Sequence, residues 1–403
     1  MRRTAPVLAM LLFTACIKEI PEPDFTPIPV ADAGIVDQVV FLVGDAGEAL
    51  FDTTPLMPHL QNEVERWSAA LDREESVSVL FLGDNVYPSG IHDLGDPRRA
   101  LDSLHLDAQV QIMNGPNAVR WRNRGFFVAG NHDWGNLYGL EGLQRIRNQE
   151  RMLDAYGNRP RVDLYPEAGL PGPQVVDAGE AVRFVFLDTH WWLQAGHDHI
   201  LRDTVFFNVR EILSGAGDRA LVFVSHHPFA SGGTHGGPVP FWRGMGLLWL
   251  LNKTGSLVQD LNSPIYRELQ GGLEALFRDI RQPLIYAGGH DHSLQVVEDI
   301  GPEKPQWSLV AGSASKTGDV GPAPGLRFGV DKPGYMRLAF RRDGAVELHV
   351  YATTNEYLHC GDDEGEDVAT CMSAGVNAFE EVFSSQLREP HPIETVTGDH
   401  GQP

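Results

Sequence analysis

Five short polar clusters, each following an apolar run, carry the chemistry of this sequence. They are Gly44-Asp45-Ala46-Gly47, Gly83-Asp84-Asn85-Val86-Tyr87, Gly130-Asn131-His132-Asp133, Ser225-His226-His227-Pro228 and Gly288-Gly289-His290-Asp291-His292. Together they hold carboxylates, an amide oxygen, a phenol and imidazoles, the donor mixture that binds hard and borderline metal ions. Singly each is a weak signal: Gly-Asp pairs mark turns, Asn-His caps helices, and a lone histidine is more often a hydrogen-bonded core residue. Five in succession, all at the ends of apolar runs, point to one cavity that collects them.

The apolar runs must position these clusters. Residues 39–43, 79–82, 126–128, 182–187, 220–224 and 284–287 are short, continuous and rich in β-branched or aromatic side chains, as strands covered on both faces are. The longer segments between them have helical spacing, so the chain reads as β-α-β units. Residues 334–352 read as a hairpin around Arg341-Arg342-Asp343-Gly344, where Asp-Gly supplies the positive φ of a tight turn. In α/β sheets the loops leaving the C-terminal strand ends converge, and the helices that follow present their positive ends there, so ligands bind at that edge. The core is expected to close near residue 354, and the sequence has no internal repeat.

Composition narrows the function. With 54 Asp+Glu against 32 Lys+Arg in 403 residues, the net charge of −22 argues against nucleic acid as a partner. Hydrophobic content of 42% with 21% charged residues excludes a long disordered chain or a rod. Length alone fits either two or three domains or one large α/β domain with terminal extensions.

The N-terminus reads as an export signal over residues 1–15: Arg2 and Arg3, then a short apolar run. Phe13-Thr14-Ala15-Cys16 resembles the bacterial lipobox, with Phe13 in place of the usual leucine. That likeness implies a lipidated Cys16 anchoring the chain to a membrane. Ile17 after the cysteine implies the outer membrane, facing the periplasm or the cell surface. Residues 16–36, with Pro21, Pro23, Pro27 and Pro29, read as an extended tether. The other two cysteines, Cys360 and Cys371, are an even pair in an oxidising compartment and are expected to form a disulfide within a C-terminal extension, 355–403. The acidic residues Asp362, Asp363, Glu364, Glu366 and Asp367 between them lack the ligand order of an EF-hand and read as a solvated loop.

The five clusters resemble the blocks of the calcineurin-like metallophosphoesterase superfamily, and within it those of the purple acid phosphatases: G-D-x-G, G-D-x-x-Y, G-N-H-D/E, V-x-x-H and G-H-x-H. The likeness runs from about Val39 to Ala352. Four blocks match in full as GDAG, GDNVY, GNHD and GHDH. In the fourth, Val224-Ser225-His226-His227, the literal pattern selects His227, whereas the family's H-x-P continuation selects His226; Pro228 favours His226.

The resemblance implies an α/β fold with a β-sandwich flanked by α-helices, in four α/β/β/α layers over residues 37–354. Carried over residue by residue, it implies two metal ions: one on Asp45, Asp84, Tyr87 and His292, the other on Asp84, Asn131, His226 and His290, with Asp84 bridging. Many relatives carry histidine two residues after the first aspartate, where Gly47 stands here; Tyr87 restores that donor. Three anionic oxygens favour Fe³⁺ at the first site, and the nitrogen-richer second site suits Fe²⁺, Zn²⁺ or Mn²⁺. Such a pair acidifies water and supplies hydroxide for in-line attack on a phosphate ester, most simply a phosphomonoester. His132 is the matched residue to hold phosphate or protonate the leaving group, with Asp133 orienting its ring, and His235 is the second candidate. A phosphodiesterase or pyrophosphatase using the same site, or a noncatalytic metal- or phosphate-binding surface lipoprotein, are the alternatives. Asp188-Thr189-His190-Trp191-Trp192 either walls the pocket or packs as a core edge. Residues 231–255, with Thr234, His235, Phe241, Trp242 and Trp249, read as a loop facing substrate.

Overall fold

The computed structural model describes residues 30–137, 139–157, 160–194, 199–235, 261, 263–354, 359–361 and 365–391. The expected signal segment, Cys16, the tether up to residue 29, the loop beyond His235 with Phe241, Trp242 and Trp249, and the acidic residues 362–364 lie outside the described residues.

Among the described residues, two seven-stranded sheets face one another. The first contains β1 (Val36–Val43), β2 (Val77–Phe81), β3 (Arg124–Phe127), β4 (Arg161–Leu164), β12 (Gly334–Arg341), β13 (Val346–Thr353) and β14 (Phe379–Arg388), in the order β14-β13-β12-β1-β2-β3-β4. The second contains β5 (Gln174–Ala178), β6 (Val182–Phe186), β7 (Ala220–Val224), β8 (Ile285–Gly288), β9 (Leu294–Glu298), β10 (Trp307–Ala311) and β11 (Leu326–Val330), in the order β11-β9-β10-β8-β7-β6-β5. β1 to β4 are parallel, so the clusters after β1, β2 and β3 all leave one edge. β6, β7 and β8 are likewise parallel, and their loops leave one edge of the second sheet.

Alternation across each strand explains the layers. Val40, Leu42, Leu80 and Phe126 of the first sheet meet Phe184, Val222, Ile285 and Val296 of the second in one apolar layer. The intervening side chains, among them Phe41, Val79, Phe223 and Tyr286, turn outward to helices. Each large apolar side chain so buried is worth about 1.5–3 kcal/mol. Among the described residues the helices are α1 (Leu56–Leu71), α2 (Arg99–Ile112), α3 (Ala118–Trp121), α4 (Gly139–Asp154), α5 (Thr189–Leu193), α6 (His199–Ser214), α7 (Pro264–Asp279) and α8 (Val368–Val376). α1 buries Leu60, Val64 and Trp67 along one face, and its His59 ring bonds Tyr335 of β12. α7 starts at an N-cap, Ser263, whose hydroxyl accepts from Tyr266 N, with Pro264 in the first turn; its Phe277 packs edge-on to Phe223 of β7. The result is the expected α/β/β/α order. No helix among the described residues is long and apolar enough to cross a membrane.

Two expected boundaries need correction. Residues 355–403 were expected as an extension beyond the core, yet β14 pairs antiparallel with β13 and sends Phe383 and Leu387 into the layer between the sheets. Glu380, Glu381, Ser384 and Ser385 hid it, because an edge strand needs only one apolar face. Residues 30–35, the last of the expected tether, form a 3-10 turn with Ala33 buried. The Cys360–Cys371 disulfide is formed, and Cys360 N donates to Thr53 O (2.7 Å), so this segment leans on the loop that follows β1.

Candidate metal centre

The first sheet delivers oxygen donors. Asp45 follows β1, Asp84 and Tyr87 follow β2, and Asn131 follows β3; all four are buried. Asp45 and Asp84 sit in the left-handed backbone region (φ 58° and 52°), as does His290 after β8 (φ 66°). Such conformations cost non-glycine residues on the order of 1–3 kcal/mol and persist where the surroundings impose them, characteristically at functional sites. Gly47 makes room for Tyr87: a β-carbon there would lie 2.7 Å from Tyr87 N and 2.8 Å from its ring.

The second sheet delivers nitrogen. His226 follows β7, while His290 and His292 follow β8. His226 Nδ1 donates to Leu82 O (2.9 Å), an assignment that follows because a carbonyl only accepts. Its Nε2 then faces Asn131 Oδ1 at 3.0 Å, His290 Nδ1 at 3.2 Å and Asp84 Oδ1 at 3.4 Å. A second group forms around Tyr87, whose hydroxyl is 3.1 Å from Asp45 Oδ1 and 3.2 Å from His292 Nε2; the latter is 3.4 Å from Asp45 Oδ1. Asp45, Asp84 and His226 place donor atoms all within 4.8 Å of one another, which joins the two groups. His227, the other reading of the fourth block, instead sets Nδ1 on Thr189 Oγ1 (2.8 Å).

The electrostatics fit a cationic occupant. Burial works against ionised Asp84, but the His226 and His132 imidazoles outweigh it and hold the carboxyl below its usual range. Burial likewise opposes charge on His226 and His292, yet Asp84 in the first case and Asp45 in the second carry the balance upward. The Tyr87 phenol is pushed well above its ordinary value by burial and by Asp45 and Asp84. Two buried carboxylates, a phenol beside them and His226 Nε2 turned toward oxygen acceptors form a donor set that suits metal ions: oxygen-rich around Tyr87, nitrogen-richer around His226.

The flanking residues divide differently from expectation. His132 Nδ1 donates to Pro88 O (2.7 Å), leaving Nε2 toward Asp84 Oδ2 at 4.0 Å. Pro88, not Asp133, thus orients the ring. Asp133 is buried and accepts from Gly130 N (2.8 Å), Val86 N (3.1 Å), Asn85 N and Asn85 Nδ2, clamping the β2 and β3 loops together. Its sequence neighbour faces the site, but its own carboxyl faces the scaffold. Burial and nearby Asp84 push that carboxyl up to about 7. His235 packs beside His290, ring centres 4.4 Å apart.

Further positioning groups were not singled out from the sequence. Asp291, the middle of Gly-His-Asp-His, accepts from His235 N (2.9 Å) and from Ser231 Oγ, and Gln295 Oε1 accepts from Gly232 N (2.7 Å), so the loop bearing His235 is stitched to β8 and β9. The buried His92–Asp102 pair (2.8 Å) holds the loop after Tyr87. The repeated polar residues inside motif blocks were the available signal for Asp291; nothing local marks His92. Asp188 caps α5, accepting from Trp191 N and Trp134 Nε1 (both 2.9 Å), so the 188–192 segment is a core edge with Trp191 and Trp192 buried.

No protein-family profile and no curated protein sequence matches the chain. Among solved structures it resembles GAP50, the anchor in the inner membrane complex of Plasmodium, at 15% identity and a TM-score of 0.53, over 86% of this chain and 96% of that one. It also resembles a purple acid phosphatase from yellow lupin (Lupinus luteus) seeds at 15% identity and a TM-score of 0.52, over 87% of this chain and 53% of that one. PhoD matches at 12% identity and a TM-score of 0.48, over 86% and 69%. The likeness is one of fold: two multi-stranded sheets flanked by helices.

Proposed function

We propose that this chain is a metal-dependent phosphohydrolase acting on phosphomonoesters, with one ion held by Asp45, Asp84, Tyr87 and His292 and a second by Asp84, Asn131, His226 and His290. The observation that carries the reading is the pair of donor groups meeting at Asp84 where loops from both sheets converge. Two such ions supply Lewis-acid charge to the phosphate oxygens and acidify water. The chain's residues do the rest. Asp84 ties the two halves, with His132 N donating to its Oδ1 (2.9 Å). His132, its Nδ1 proton committed to Pro88 O, offers Nε2, when that nitrogen is protonated, to donate to a phosphate oxygen or to give its proton to the leaving oxygen. His235 stands beside His290 as a second polar contact for the ester. The three anionic oxygens around Tyr87 favour Fe³⁺ there, and the second site suits Fe²⁺, Zn²⁺ or Mn²⁺. Export and lipidation at Cys16 at an outer membrane belong to the same reading, supported by the order of the N-terminal residues and by a disulfide that fits an oxidising compartment.

The likeness to a Plasmodium anchor protein over nearly all of that chain favours a second reading, a scaffold that retains the fold without turnover. Metal analysis, the visible spectrum and rates on p-nitrophenyl phosphate and its bis-ester separate the two. The hydrolase reading expects two ions per chain, a phenolate-to-iron band and faster monoester than diester turnover. Tyr87→Phe is expected to abolish the band while the fold persists. A coloured Tyr87→Phe protein defeats the Tyr87 assignment, and absence of metal-dependent turnover defeats the hydrolase.

A further inference from the structure

The open side of the site carries a cation outside both proposed donor sets. Lys316 Nζ lies 3.6 Å from the centre of the Tyr87 ring and 2.9 Å from Glu48 Oε1. Its side chain is 30% exposed, as is that of His132, and His292 is close at 27%, whereas Asp45, Asp84 and His226 are sealed. These three partly exposed groups mark the face from which a substrate reaches the buried donors. Lys316 is not a loose surface lysine, because its backbone is sewn to the site on both sides. Ala314 N donates to Gly44 O (3.2 Å), Ser315 N to Asp45 O (3.1 Å) and Gly318 N to His292 O (2.6 Å). The Tyr87 ring face attracts the ammonium from one direction and Glu48 from another. An exposed ion pair such as Glu48–Lys316 is worth only about 0.2–1 kcal/mol, so an arriving phosphate competes with Glu48 easily.

Resting on the hydrolase reading, we infer that Lys316 is a specificity-determining residue: its ammonium takes an oxygen of a doubly charged phosphate and thereby favours monoesters over diesters. A phosphomonoester carries close to two negative charges at neutral pH, with a second pKa of about 6, while a diester carries one. Lysine acts on phosphate as a point charge, so it discriminates by the amount of charge presented rather than by shape. Glu48 is the acceptor that occupies the ammonium when no anion is bound.

The test uses the full-length, metal-loaded protein with Lys316→Met, Lys316→Arg and Glu48→Gln, measuring KM for p-nitrophenyl phosphate and its bis-ester and calorimetric binding of inorganic phosphate. Lys316→Met is expected to raise the monoester KM and the phosphate Kd by about five- to tenfold, and to move the diester KM about threefold less. Lys316→Arg restores most of the loss, and Glu48→Gln tightens phosphate binding. Equal shifts for monoester and diester, or unchanged phosphate binding in Lys316→Met, overturn the inference. Wild-type protein that binds phosphate through Lys316 but turns over neither ester defeats the hydrolase reading and leaves the phosphate contact standing. Turnover unaffected by Lys316 does the reverse.

Discussion

The two sheets contribute opposite halves of the candidate centre. Loops of the first bring Asp45, Asp84, Tyr87 and Asn131, all oxygen donors; loops of the second bring His226, His290 and His292, all nitrogen donors. The oxygen half is tightly constrained, with Asp45 and Asp84 in left-handed backbone and Asp133 clamping its loops. The nitrogen half reaches across: His226 donates to Leu82 O, and His290 N donates to Asp45 Oδ2 (2.8 Å). A contrast between two buried carboxylates shows why both halves are needed. Asp84, facing His226 and His132, is held below the usual carboxylate range, whereas Asp188, buried among Trp134 and Trp191, rises to about 6 because burial outweighs its hydrogen bonds. At equal depth, the closely facing imidazoles keep Asp84 ionised to a lower pH than Asp188.

The two halves depend most on Asp84. Asp84→Ala removes the donor common to both groups and is expected to lower the content of both metals and reduce turnover by at least about a hundredfold, since even supporting partners of metal ligands are worth 10–100-fold. Full occupancy of both ions in this variant, measured by metal analysis, would show that the halves do not meet there. Chelation is the next largest effect. If ions join the halves, stripping them lowers the unfolding midpoint, because metal at about a hundred times its Kd adds about 2.7 kcal/mol of stability. Far-ultraviolet dichroism of the stripped protein is expected to stay native, since the layer containing Phe126, Phe184 and Val222 is independent of the site. The smallest effect concerns Asp188. Its carboxyl binds a proton more readily folded than unfolded, so the stability linked to it is greatest below its unfolded pKa and falls as pH rises toward about 6. Relative to Asp188→Asn, the wild-type chain is expected to lose on the order of 1 kcal/mol between about pH 5 and pH 7 in denaturant titrations. A flat difference would mean that Asp188 is solvated or paired and differs less from Asp84.

Much of this was readable along the chain because strand-end clusters are local. The apolar runs at 39–43, 79–82, 126–128, 182–187, 220–224 and 284–287 all became strands, or parts of strands, of the two sheets. Their composition announces burial on both faces, and the polar residues that follow must then emerge at one edge. Mixed segments hid β4, β5 and β14: Arg161, Asp163 and Asp177 alternate with apolar residues, and β14 shows an apolar face only to the layer between the sheets.

The sequence by itself determined which donor types stand at which strand ends, because that needs only adjacency. Which ring or carboxylate faces which was settled by contacts between residues far apart in the chain. His290 meets Asp45 across 245 positions. His226 rather than His227 turns to Asn131 because Leu82 O takes its other nitrogen, while Thr189 Oγ1 sits on Nδ1 of its neighbour. Asp133 lost its expected hold on His132 to Pro88 for the same reason: a side chain bonds to whatever donor or acceptor the packed sheets bring within about 3 Å, and that depends on how the two sheets pack against each other.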